Sequence, residues 1–465
     1  RPKSVVLLRT DAPPPTPPPT MLFFAFSRLS RLVNTPRAVC KPRLIFTAAA
    51  AAAVTASVAA ERQPASCMPS SSKFTHGELN DSGMLMELCE ELDDGDASDQ
   101  ELGEDLLLLA AEPLARSSKQ EIGPERLSLA RLQREAAERG TDGDSLSSGV
   151  YLRFGFRLDW LEDVVRELRV PDGFETIGGH YFANGEEGVL LLLRRFRTTG
   201  PLEDLTWETG RSKSAISECV QYMVEHVLGK FPHLADHRSF TAWAPLFGIF
   251  AQAFVEWGCP ITNLVAFIDG KLYPICRPGM YQQVMYSGHK RIHGLKVQGL
   301  IFPNGIQPYP FGPVNGSRHD SFVLSHSKIT QVLHDVCRGG RYAWQGAPGG
   351  LGADYVLFGD SAYPISRWLW RMYKGVMNAM QQAFNKDMSP ARVTVEWGFG
   401  KITNLWPFLD YRKKHKVLLS PVGLYFPVAN ILTNMHTCLS RGNIVSLEFG
   451  MEPPELHAYM CGGPF

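Results

Sequence analysis

Residues 264–278 read LVAFIDGKLYPICRP, and further along the chain residues 354–364 read DYVLFGDSAYP. In each, a short apolar run meets a bare acid: Phe-Ile-Asp-Gly at Asp269 and Phe-Gly-Asp-Ser at Asp360. Apolar runs of this length, bounded by turn-forming residues, read as buried strands. Such strands need partners in a sheet and helices over its faces, which commits this half of the chain to a layered plan. Each carboxylate is read as ending its strand. If the two strands are neighbours, both acids emerge at one edge of the sheet, the place where ligands sit in open α/β folds.

The surrounding pattern extends the plan. "GLKVQGLIF", a "PNG" turn and "IQPYPFGPV" predict a hairpin. "HDSFVLSHSKITQVLHDV" reads as a helix, "RGGRYAWQGAPGGLGA" as a Gly-rich loop and "SRWLWRMYKG" as a helix. "SPARVTVEWGFGKITNLWPFL" reads as a helix with Ser389 as cap and Pro390 in its first turn. It carries Glu396, with Val393, Trp397, Phe399 and Ile402 holding it against the sheet. The fold class is therefore mixed α/β over residues 260–440. Upstream, residues 150–250 read as helical. Within them "EEGVLLLLRRFRTTG", "PLEDLTWETG" and "RSKSAISECVQYMVEHVLG" give three helices over 186–229, the last capped by Ser212 or Ser214 with Ile216, Val220, Met223, Val224 and Val227 in one stripe. This is the helix-turn-helix order, which places Lys213, Ser214 and Ser217 at a groove-facing helix start. A plain helical bundle shows the same periodicity.

Charge divides the chain. Formal net charge is zero, yet residues 78–112 hold thirteen acids and no Lys or Arg, whereas residues 251–440 hold 19 Lys and Arg against 9 Asp and Glu. A basic half suits a polyanion. Residues 1–145 are Pro-rich, then Ala-rich, then acidic, and read as a disordered tail. "MLMELCEEL" and "DLLLLAAEPLARSS" read as candidate short amphipathic helices within it. Arg and Lys before the Ala-rich run resemble a transit peptide, and no segment reads as a bilayer span. The nine cysteines show no CxxC pair, which points away from a zinc cluster and toward a reducing compartment. Residues 441–465 read as a C-terminal tail.

The chemistry rests on Asp269, Asp360 and Glu396. A lone Asp after a strand is ordinarily a turn-former, and a lone Glu on a helix a solvated face. Brought together, three carboxylates repel one another unless a cation intervenes. Hard oxygen ligands select Mg²⁺ or Mn²⁺. Two such ions about 4 Å apart activate a water and clamp a phosphodiester. His289, Lys290, Arg291, His293, Arg318 and the run "YRKKHK" at 411–416, with Lys413 and Lys414, suit a phosphate backbone. Asp320, in "NGSRHDSF", competes as an extra acid; it reads first as a helix N-cap, with a place near the metal site as the alternative.

At "FIDGKLYPICRP", "YSGHKRIHGLKVQGLIFPNG", "GPVNGSRHDSFVL", "LFGDSAYP" and "ARVTVEWGFGKI" the chain resembles the DDE superfamily endonuclease domain of Harbinger-like transposases. The resemblance covers roughly residues 186–440. It implies a ribonuclease H-like fold, a mixed sheet with helices on both faces. It implies Asp269, Asp360 and Glu396 as metal-binding catalytic acids, and Arg392 as a phosphate contact or an orienter of Glu396. The implied reaction is Mg²⁺-dependent hydrolysis of DNA followed by attack of the freed 3′-hydroxyl. The implied partners are DNA, a Myb-like accessory DNA-binding protein and further copies on DNA, in the nucleus. The chain departs from the pattern in having Ser361-Ala362-Tyr363 where relatives often have Ser-Gly-Tyr, and in its acidic tail. The alternatives are a domesticated transposase-derived DNA-binding protein without nuclease activity, and a metal phosphohydrolase of small substrates.

Overall fold

The computed structural model describes residues 127–139, 149–176, 178–338, 354–417 and 419–464. The Pro-rich run, the transit-like segment, the acidic block with its two short helices, and most of the Gly-rich loop after Arg338 lie outside these residues. Within the span read as a tail, Leu129–Glu138 forms helix α1, where Ser128 Oγ accepts from the Arg131 N–H at 3.2 Å. Leu132 and Ala136, one turn apart, are buried, so amphipathic packing overrides the disordered reading here. The next two helices, α2 (Gly149–Phe154) and α3 (Leu158–Glu167), bury Phe154, Leu161 and Val164.

A two-stranded ribbon, β1 (Gly173–Glu175) and β2 (Phe182–Asn184), leads into three helices: α4 (Gly185–Arg197), α5 (Leu202–Thr209) and α6 (Lys213–Lys230). Gly210, at φ 66°, closes α5 in the left-handed conformation that glycine adopts without strain. Ser212 is the cap of α6, accepting from the Ala215 N–H at 3.2 Å. The stripe Ile216, Val220, Met223, Val224 and Val227 is buried as its spacing predicts. Five consecutive residues of α4, Val189–Leu193, are wholly buried, so α4 is an interior helix.

Helix α7 (Phe247–Trp257) precedes the sheet strands β3 (Leu264–Pro274), β4 (Tyr286–Ser287), β5 (Ile292–Ile301) and β6 (Phe311–Asn315). Then come α8 (Asp320–Ser327), α9 (Ile329–Arg338), β7 (Val356–Gly359) and β8 (Leu369–Arg371). Helices α10 (Ala379–Leu405), α11 (Val422–Leu439), α12 (Ile444–Glu448) and α13 (Leu456–Met460) complete the chain. The sheet order is β4-β5-β3-β7-β8, with β6 also on β5; β3–β5, β5–β6 and β4–β5 are antiparallel, while β3–β7 and β7–β8 are parallel.

Helices cover both faces of this sheet. On one face Phe267 meets Phe254 of α7 edge to face at 5.3 Å, and Lys271 lies 5.9 Å from the Phe399 ring of α10. At the intervening position, Gly270 has Asp320 of α8 against it on the other face. Helix α11 is buried along almost its whole length. Its Asn430 and Asn434 donate to the Gln307 carbonyl at 2.9 Å each, fixing the β5–β6 connection.

Several expectations are corrected. The segment 366–375, read as a helix, contributes strand β8, because Leu369 inward and Trp370 outward alternate and Leu369 pairs with Leu357 of β7. Ser389 does not cap a helix; α10 begins eleven residues earlier at Asn378, in a capping box with Gln381, and Pro390 lies inside it on the exposed side. The helix read across 319–336 breaks at Lys328, φ 52°. Residues 441–465 are not a loose tail: Val445, Phe449, Tyr459 and Met460 are buried. Nor do 150–250 and 260–440 have separate cores. One continuous core runs from Leu127 to Met460, in which Phe196 of α4 stacks on Phe408 at 6.1 Å and α6 contacts α11.

Two glycines set how closely α10 approaches the sheet. A Cβ at Gly299 would sit 2.8 Å from the Phe399 ring, and one at Gly398 would sit 2.7 Å from Ile301 Cδ1. Gly299→Ala is therefore expected to destabilise the chain by about 1–3 kcal/mol through overpacking, read as a lower denaturant midpoint. An unchanged midpoint contradicts this account of the α10 contact.

Candidate active site

The apolar stretch Leu264–Ile268 is fully buried, and Asp269 follows it directly. Asp269 does not end its strand as its sequence context suggests. Strand β3 continues to Pro274, because β5 pairs it on one side as far as Pro274↔Gly294. On the other side the pairing with β7 stops at Ile268↔Gly359. The next residue on each chain is an acid. Asp269 and Asp360 thus directly follow the last paired residues of two parallel strands, which lie about 4.8 Å apart at that pair. From that point on, no strand among the described residues pairs with β3 on this side.

Local hydrogen bonds hold both acids. Asp269 Oδ1 accepts from the Gly270 N–H at 2.8 Å. Asp360 Oδ1 accepts from the Ala362 N–H, and the Asp360 carbonyl accepts from the Tyr363 N–H at 3.2 Å, which folds 360–363 into a tight turn. Burial pushes the Asp269 carboxyl up to about 6. The nearby Asp360 and Asp320 push it the same way, against the Gly270 N–H and the Arg392 charge.

Asp320 is the first residue of α8; its cap is His319. Its Oδ1 would lie 2.4 Å from a Cβ at Gly270, so the glycine is what admits it. Lys296 Nζ of β5 stands 3.2 Å from the same oxygen. Glu396 is placed differently. It is half exposed on α10 and accepts from Arg392 Nη2 at 2.7 Å, and that guanidinium also acts on Asp269. The structure therefore joins Asp269, Asp360 and Asp320, and reaches Glu396 only through Arg392. Among the described residues, no group of three or more His, Cys, Asp or Glu is gathered closely enough to hold a metal by itself. Phe399 and Ile402 are buried as expected, with Val393 and Trp397 half-buried.

A divalent cation fits this donor set on two grounds. Mg²⁺ is commonly held by one or two carboxylates, with waters and substrate phosphate filling the rest. The acids acting on Asp269, with their ion-pair partners, are Asp269, Asp320, Asp360 and Glu396 against Lys296 and Arg392. With Arg371, which donates to the Ser361 carbonyl at 3.0 Å beside Asp360, four carboxylates face three cations, and the negative excess is one a cation offsets.

The residues read as DNA contacts fall into separate groups. Lys213, Ser214 and Ser217 are exposed at the start of α6, with Lys213 paired to Glu203. Lys414, in the turn Arg412–Lys414 beside exposed Lys413, also acts on Glu203, so this turn and the α6 start share one surface. Lys290 and Arg291 are exposed at the tip of the β4–β5 turn, with Arg291 eight residues before Gly299 and so about 26 Å along β5 from the acids. Arg318 lies over the Phe322 ring at 4.3 Å, and Arg392 sits at the acids. His415, within "YRKKHK", is buried against the Pro274 carbonyl at 3.2 Å and is structural. Sequence reasoning missed Lys296 and Tyr363. Tyr363 closes the turn after Asp360 and carries its only signal in the fixed spacing from that acid; Lys296 carries none.

Residues 268–434 match the family model described as DDE superfamily endonuclease. The matched segment begins one residue before Asp269 and contains Asp320, Asp360 and Glu396. No curated protein and no solved structure matches the chain. Among the described residues, no helix is long and apolar enough to cross a membrane.

Proposed function

We propose that this chain is a divalent-metal-dependent DNA endonuclease of transposase type, Harbinger-like in subfamily, with a ribonuclease H-like catalytic core. The observation that carries the reading is the pairing of Asp269 with Asp360 at the parting of β3 and β7, inside the segment that matches the superfamily. Endonucleases of this superfamily are generally divalent-metal dependent. A mixed sheet with helices on both faces supports the core assignment.

Asp269 and Asp360 would hold Mg²⁺ or Mn²⁺, and Glu396 would join them once Arg392 is drawn to a phosphate. A metal bound there would supply Lewis-acid charge to a phosphodiester and to an attacking water, and a second ion would complete a two-metal mechanism. Asp269 must be ionised to take part. The Gly270 and Ala362 N–H groups fix the two carboxylates before substrate arrives. The surface of Lys213, Ser214, Ser217, Lys413 and Lys414 carries duplex DNA, and Lys290, Arg291 and Arg318 extend the backbone contact. Transfer of the freed 3′-hydroxyl, a Myb-like accessory protein, assembly of copies on DNA and nuclear residence complete the proposal.

The test is nicking of supercoiled plasmid by the full chain. Nicking with Mg²⁺ or Mn²⁺, abolished by EDTA and by Asp360→Asn, is expected. Plasmid bound but never nicked under any divalent cation overturns the enzyme reading in favour of a DNA-binding protein without nuclease activity.

A further inference from the structure

Tyr363 stands out among the groups around the acids. Its ring is 1% exposed, and its hydroxyl has no hydrogen-bond partner. A buried hydroxyl without a partner is costly and is ordinarily satisfied. This one lies beside Asp320: a Cβ at Gly270 would meet both the Asp320 carboxylate and, at 3.6 Å, this hydroxyl, and Asp269 and Asp360 are near enough to act on it too. Asp320 is also held in an unusual way. Lys296 anchors its Oδ1 at 3.2 Å without hydrogen-bond alignment, leaving that buried oxygen short of a donor. Gly270 leaves out the side chain that would push Asp320 away.

Resting on the endonuclease reading, we propose that Asp320, tethered by Lys296 and facing the partnerless hydroxyl of Tyr363, is a positioning residue of the cation site. Asp320 and Tyr363 grip an oxygen of the hydrated cation from the face of β3 opposite to Phe399 and α10. Tyr363 donates to that oxygen and Asp320 accepts from it, so the two groups left unsatisfied in the protein alone are satisfied together. A purely structural role for Tyr363 gives no reason to bury a hydroxyl here, since phenylalanine fills the same space.

The experiment is Mn²⁺ binding to the full chain without DNA, followed by electron paramagnetic resonance, with thermal unfolding in EDTA alongside. Tyr363→Phe deletes only the partnerless hydroxyl, so its unfolding midpoint in EDTA stays level or rises. Its Mn²⁺ affinity falls about 10-fold, and that of Asp320→Asn about 10–100-fold, the range for groups that orient a metal's ligands. Gly270→Ala displaces Asp320 and copies the Asp320→Asn loss. Wild-type chain that binds Mn²⁺ while Tyr363→Phe and Asp320→Asn bind it equally well overturns this inference alone. Wild-type chain that takes up no Mn²⁺, either alone or with duplex DNA present, overturns the endonuclease reading and this inference with it.

Discussion

Asp269→Asn is expected to abolish metal-dependent nicking and, in metal-free buffer at neutral pH, to make the chain more stable. Both effects come from one feature, a carboxylate placed in a buried strand. Burial first, then Asp360 and Asp320, raise its pKa to about 6, above the usual value near 3.8. The folded chain therefore holds this proton more tightly than the unfolded chain. The group's contribution to stability is full below about pH 4 and is lost as pH rises through about 6. At pH 7, without a cation, the ionised group costs up to about 3 kcal/mol, from roughly two pK units at 1.36 kcal/mol each. Asn removes that cost and with it the ligand, so the loss of nicking exceeds the roughly 10–100-fold seen when only a ligand's supporting group is lost. At limiting cation, nicking by the wild type falls as pH drops through about 6, because the proton then competes with the metal for Asp269. Thermal melts in EDTA, paired with a pH profile of nicking, check all three. A variant that nicks normally, or that is less stable than wild type in EDTA, contradicts the assignment.

Glu187→Gln is expected to cost about 3–5 kcal/mol of stability, the range for breaking a buried ion pair from one side. Glu187 lies in the first turn of α4, and its two carboxylate oxygens accept from Nε and Nη2 of Arg211, the former at 2.7 Å. The two side chains are 1% and 5% exposed, so water cannot screen the charge that is left behind. Arg211 sits in the turn between α5 and α6, and this pair locks that turn onto α4. Replacing both residues with apolar side chains of similar volume is expected to recover much of the loss, because the stranded charge then disappears too. Guanidinium unfolding of the single and double variants reads both outcomes. A single variant within about 0.5 kcal/mol of wild type, the range of ordinary surface changes, contradicts the lock.

The sequence is most legible where local signals and tertiary packing agree. The runs at 264–268 and 356–359 are strands because each apolar side chain is wanted inside the sheet, and their adjacency places the two acids at neighbouring strand positions. Helices α4 to α6 announced themselves through Gly210, Ser212 and the stripe from Ile216. Misreadings fell where a distant partner decides. Segment 369–371 is a strand because β7 offers it an edge, and β3 outruns Asp269 because β5 continues beside it. The helix start at Ser389 was a false cap, overridden by the Asn378 capping box and by packing along α10. In the site, the spacing of acids showed Asp269, Asp360 and Glu396 as types. It could not show that Arg392 engages Glu396, or that Lys296 and Tyr363 converge on Asp320, because those contacts join elements far apart in the chain.

The central claim is that Asp269 and Asp360 share a divalent cation. An anomalous difference map from a crystal soaked in Mn²⁺ tests it most directly. The account predicts a manganese peak touching both carboxylates at the end of β7. Manganese bound elsewhere, with these two acids free of it at saturating concentration, contradicts the account.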